Sequence, residues 1–138
     1  MAAAELVSES DFAAGRWLLE AAGSAIRAAY WLHDSEAGKW RLMVEGRDED
    51  LRRSIDAILL AARKIKRPER RRAVQALLMG PVRISASPEP LAELFRDAWL
   101  DEAGSVERER VHGETFGRFF VDDAVLYRLD PPKRRAAS

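Results

Sequence analysis

The chain contains no cysteine, which excludes disulfides, thiol nucleophiles and cysteine-based zinc sites. Histidine is scarce: only His33 and His112 occur, and they form no His-x-x-x-His or similar metal pair. There is no excess of charge of either sign, since 23 basic and 23 acidic residues give a formal net charge of zero. A global pull on nucleic acid or acidic membranes is therefore absent, and such binding has to come from a local patch. The same balance weakens self-repulsion and so favours self-association. No apolar run approaches the ~20 residues of a membrane span. The opening Met-Ala-Ala-Ala-Glu-Leu has neither a basic nor an apolar signal region, so no secretory signal is expected. The glycines form no GxGxxG, GxxxxGK[ST] or GxSxG arrangement. There is no internal repeat and no low-complexity segment. These absences lead to the expectation of a cytoplasmic protein with no cofactor, no metal, no membrane contact and no catalytic residue that sequence can define.

What is present is an ordinary globular composition. Of 138 residues, 47% are hydrophobic, which fits one self-sufficient domain rather than a disordered chain. The basic residues are mostly arginine and alanine is abundant, as in proteins of GC-rich bacteria. Residues 1–130 are expected to form the domain and 131–138 a disordered basic tail, because Asp130-Pro131-Pro132 cannot continue a strand.

Residues 26–45 read as a β-hairpin with aromatic-rich arms. Strand alternation puts Ile26, Ala28, Tyr30 and Leu32 on one face, and Trp40, Leu42 and Val44 on one face of the second arm. Tyr30, Leu32, Trp40 and Leu42 are then the expected core side, with Trp31, Arg41 and Met43 opposite. Asp34 to Lys39 supply the turn, where Gly38 can take positive φ. Ahead of the hairpin, Ser8 caps a helix that runs to about Ala22 and ends at Gly23.

After the hairpin, Leu51, Ile55, Ile58, Leu59 and Ala62 form a helical stripe within 48–66. Pro68 starts a second helix, 68–79, that buries Val74, Leu77 and Leu78. A strand at 82–86 follows. Ser87 then caps a helix with Pro88 at its first position, running to about Ala103. Strands are predicted near 106–113, charged and suited to a sheet edge, and at 119–129, apolar and more central. Helices and strands mixed without strict βαβ alternation predict an α+β fold: a mainly antiparallel sheet with about four helices packed largely on one face.

Four groups of residues could carry function. Arg63, Lys64, Lys66, Arg67, Arg70, Arg71 and Arg72 make seven of the ten residues from 63 to 72 basic. They could grip nucleic-acid phosphates with release of counterions. The plainer alternative is a solvated helix end; Lys133, Arg134 and Arg135 could extend the patch. Glu107, Glu109, Asp122 and His112 are the candidates for a metal-dependent hydrolase or nuclease. Adjacent Asp122 and Asp123, however, point to opposite faces of a strand. His33 beside Asp34 could act as a base or ligand, or serve simply as a polar turn residue. Trp31, with Arg41 and Met43, is a partner-binding anchor if its face is open. Trp17 and Trp99 sit on apolar helix faces and are expected in the core.

The segments Ala29-Tyr30-Trp31-Leu32, Gly38-Lys39-Trp40-Arg41-Leu42 and Val121-Asp122-Asp123-Ala124-Val125-Leu126-Tyr127-Arg128-Leu129 resemble small bacterial proteins of uncharacterised function. The resemblance covers the hairpin and closing strand, and implies no catalytic residue. The leading expectation is a non-catalytic accessory protein that binds another protein or itself. Nucleic-acid binding and metal-dependent hydrolysis are the alternatives.

Overall fold

A computed structural model describes residues 7–99 and 109–129, with side chains described over 7–96 and 111–126. The elements follow in the order α1 (Glu9–Ala22), β1 (Ile26–Asp34), β2 (Lys39–Gly46), α2 (Leu51–Arg63), α3 (Pro68–Met79), β3 (Val82–Ser85), α4 (Pro90–Trp99), β4 (Glu109–Phe116) and β5 (Phe119–Leu129). The five strands form one mixed sheet in the order β3-β2-β1-β5-β4. All neighbours are antiparallel except β2 and β3, which run parallel. That exception has a simple cause: α2 and α3 separate the two strands, and a parallel pair needs such a crossover. The fold is α+β, as the mixture of elements predicts. The tail 131–138 lies outside the described residues.

Local chemistry sets the element ends. Ser8 Oγ accepts from Asp11 N at 3.1 Å, and Gly23 at φ 54° closes α1. At the hairpin turn Asp34 Oδ1 accepts from Glu36 N at 3.0 Å and Ala37 N at 3.2 Å, while Gly38 takes φ 64°. α2 starts at Leu51 rather than at 48, because Asp50 is the cap that accepts from Arg53 N. α4 is capped by Glu89, not Ser87: its carboxylate accepts from Leu91 N and Ala92 N, and the helix begins at Pro90.

Three of the four described helices pack on one face of the sheet, and α4 packs on the other. On one face α1, α2 and α3 pack Phe12, Leu18, Leu19, Ile58, Ala62, Val74 and Leu77 against Ile26, Ala29, Trp31, Leu42, Val44, Val82 and Val125. On the other face, among the described residues, α4 packs Leu91, Ala92 and Phe95 against Ala28, Tyr30, Val111, Val121, Ala124 and Leu126. Phe95 stands edge-on to both Tyr30 and Phe116, with ring centroids 5.0 and 5.1 Å apart.

The face assignment of the hairpin is corrected by its register. Trp31 pairs with Leu42 and Tyr30 with Met43. Cross-strand partners share a face, so Trp31 and Leu42 lie together under the three-helix layer, and Tyr30, Leu32 and Met43 lie under α4. A register shift between Ile26 and Ala28 also separates Ile26 from Ala28 and Tyr30.

Candidate functional site

Charged residues are buried on the α4 face. Glu45 projects from β2 with its side chain 0% exposed and pairs with Arg96 of α4, 3% exposed. Arg96 also bonds Glu93 one turn back. The second oxygen of Glu45 accepts from Glu89 N at 2.7 Å. Glu89 in turn accepts from the Tyr30 hydroxyl at 2.9 Å. Burial first, and then the Glu89 carboxylate, push the Tyr30 phenol well above its ordinary value. The result is a continuous polar network between β1, β2, the cap residue Glu89 and α4. Its chemistry is that of attachment: each charge is bonded to another element of the fold.

Beside this network lies an open cleft of about 600 Å³, lined among others by Arg27, Arg47, Arg53, Asp48, Ser54 and Ser87. Backbone bonds build it. Asp48 O accepts from Ser54 Oγ at 2.9 Å and from Ser87 N at 3.2 Å, which ties the start of α2 to the loop before α4. Arg47 N donates to Ala25 O at 2.9 Å, and Arg47 Nε donates to Ser24 O. A Cβ on Gly46 would overlap the Ser54 side chain, so glycine is what lets α2 lie this close to β2. Arg27, 6% exposed, donates through Nη1 to Ser87 Oγ. Burial, followed by the neighbouring Arg96, holds its guanidinium below its usual value, with Glu45 and Glu93 opposing.

A third feature is the joint between α2 and α3, where the basic stretch falls. Three of its arginines are used by the fold. Arg70 lies over the Trp17 ring at 4.8 Å, Arg71 Nη1 donates to Ile65 O at 2.9 Å, and Arg72 Nε donates to Pro68 O at 3.4 Å. The other four, Arg63, Lys64, Lys66 and Arg67, are exposed and make no side-chain hydrogen bond or ion pair among the described residues. Next to them is a shallow hollow of about 410 Å³ lined by Ala21, Ala57, Leu60, Ala61, Lys64 and Ile65. Leu60 is 51% exposed at its rim. Of the stripe expected on α2, Ile58 and Ala62 are buried, Ile55 and Leu59 are half-buried, and Leu51 is 46% exposed. Leu60, outside that stripe, was the available signal for an open apolar position.

The remaining candidates are dispersed. Trp31 is 1% exposed and belongs to the core, so it offers no open face. Met43 packs under α4 on the opposite side of the sheet, and Arg41 pairs with Asp34 at 3.5 Å. These three residues therefore do not form one surface. His33 bonds Asp122 at 3.0 Å rather than its neighbour Asp34, and its ring lies edge-on to Trp40. Backbone donation from Ala37, the largest influence, holds Asp34 below the ordinary carboxylate value. His112 reaches Asp123 at 3.7 Å. Among the described residues no group of three or more His, Asp or Glu is placed to hold a metal ion. Glu107 and residues 133–135 lie outside the described residues, as do the side chains of Trp99 and Glu109. Among the described residues no helix is long and apolar enough to cross a membrane. No protein family, curated protein or solved structure matches the chain.

Proposed function

We propose that this is a non-catalytic accessory protein that acts by binding a partner protein, and that the contact is the outer side of α2 with the α2–α3 joint. The observation that supports this most is the apolar hollow at Leu60 set against four cations, Arg63, Lys64, Lys66 and Arg67, that have no counter-ion among the described residues. An apolar anchor surrounded by charge is the usual anatomy of a recognition patch. The fitting partner presents one apolar side chain for the hollow and acidic residues for the joint. Such a patch adds rate and selectivity by charge and affinity by burial. Trp31, Arg41 and Met43 are not part of it.

The same cations favour a second reading, contact with nucleic-acid phosphates through a local patch. The two separate cleanly by mutation. A partner captured from the native host is purified and its affinity measured for wild type, Leu60→Glu and Lys64→Glu. Protein binding predicts a loss of about tenfold or more for Leu60→Glu, the size of a hot-spot effect. It also predicts a smaller, salt-sensitive loss for Lys64→Glu. A partner held equally well by Leu60→Glu contradicts the proposed contact. Salt-sensitive binding of a labelled duplex that survives Leu60→Ala and is lost on changing Arg63, Lys64, Lys66 and Arg67 to Ala establishes the second reading instead.

A further inference from the structure

We infer that the partner at the outer side of α2 is a second copy of this chain, met through an antiparallel α2–α2 contact centred on Leu60. This rests on the proposed contact at α2 and names its occupant. The face has the pattern of a surface that fits itself. Asp56 stands four residues before Leu60, and Lys64 four residues after it. Residues at i, i+4 and i+8 lie in one row along a helix. Lys64 belongs to the row although it caps the helix, because its backbone keeps right-handed helical values, φ −85° and ψ −2°. All three side chains are exposed, Leu60 by 51%. A two-fold axis at Leu60 places Asp56 of each copy beside Lys64 of the other, twice in one dimer.

Shape and charge agree with that arrangement. Asp56, Leu60 and Lys64 form a ridge, and the row beside it carries the alanines Ala57 and Ala61, which line the hollow. Ridges of one helix seat in the grooves of another, and a row lowered by alanine lets the two axes approach. Leu60 of one copy thus fills the hollow of the other, whose wall also includes Ala21 of α1 and Ile65. Among the described residues neither Asp56 nor Lys64 makes a side-chain hydrogen bond or ion pair, so both are available across the contact. A parallel pair would set Asp56 against Asp56 and Lys64 against Lys64. The antiparallel sense turns the same charges into pairs, and it also aligns the two helix dipoles head to tail. The like charges Arg53 and Arg67 fall seven residues from the axis, at the exposed rim, where water and salt screen them. Zero formal net charge leaves no long-range repulsion between copies. The apolar side chain that the hollow calls for and the acidic residue that Lys64 calls for are both supplied by the chain itself.

The test is sedimentation equilibrium of the full chain over a concentration series, with wild type beside variants whose circular dichroism matches it. Wild type should approach twice the chain mass of 15.5 kDa. Leu60→Glu should weaken the dimer by about tenfold or more, as loss of a central apolar contact does. Asp56→Lys and Lys64→Asp should each weaken it severalfold, because each sets two like-charge contacts in a symmetric dimer. Two combinations should restore it: the double variant Asp56→Lys/Lys64→Asp, and an equimolar mixture of the two single variants, in which one pairs with the other. A disturbed fold does not produce that recovery. Wild type that keeps the mass of one chain at every concentration overturns the inference. The proposed contact at α2 is then judged separately, by whether a captured partner loses affinity for Leu60→Glu. A dimer unaffected by Leu60→Glu overturns the inference as well, and so does a double variant no better than the single ones.

Discussion

The two faces of the sheet are sealed by different means. Under α1, α2 and α3 the contact is apolar, with Leu18, Ile26, Ile58 and Val74 at 0% exposure. On the other face α4 is the one helix among the described residues, and beside its apolar contact it carries the buried pair Glu45–Arg96 and the bond from Tyr30 to Glu89. Three helices can exclude water from a sheet by packing against one another as well as against the strands. A helix without a neighbouring helix to pack on is held by its contact with the strands alone, which leaves its position along and around its axis less constrained. The directional bonds of Glu45, Glu89 and Arg96 supply that constraint. Buried ion pairs add little net stability but can define a unique arrangement, which is the role we assign them here.

This comparison can be broken by substitution. The largest effect is expected from Glu45→Ala, which leaves Arg96 buried without its main partner and should destabilise by roughly 3–5 kcal/mol. Replacing both residues, as in Glu45→Met/Arg96→Met, should recover most of that loss in urea denaturation, because no uncompensated charge remains. On the three-helix face Ile58→Ala should cost about 2–5 kcal/mol through cavity formation, and no second substitution of a charged residue should restore it. Tyr30→Phe should cost about 1 kcal/mol, since Glu89 keeps its bonds to Leu91 N and Ala92 N. The smallest expected effect is one of pH. The Tyr30 phenol is raised in the folded state, so the unfolded chain loses this proton first. The contribution is fully present below about pH 10 and falls as pH rises beyond it. Comparing wild type with Tyr30→Phe by denaturation at increasing pH isolates it.

Much of the fold was legible because local chemistry decided it. Ser8, Gly23, Gly38 and Pro68 stand where caps, turns and helix starts require them, and the structure uses all four in those roles. The parity of the hairpin was not legible. Alternation orders residues within each strand, but only the register, Trp31 with Leu42, says which faces of the two arms coincide. The placement of α4 on the opposite face was hidden for a related reason. Its apolar spacing announces a helix and not the side of the sheet it takes. The buried network and the Arg-lined cleft left no motif at all. Arg27, Glu45, Ser87, Glu89 and Arg96 come from distant positions that only the β2–β3 crossover and the docking of α4 bring together. The basic stretch was visible as composition, but which of its residues remain free depended on Trp17 and on the carbonyls of Ile65 and Pro68.

The view that a polar network fixes α4 is tested most directly by native-state hydrogen exchange of Glu45→Gln beside wild type. The backbone amides of α4 should lose protection through a local opening, while those of α1, α2 and α3 keep theirs. An equal loss of protection in all four helices would show that Glu45 supports the whole domain rather than the attachment of one helix, and would contradict the difference drawn between the two faces.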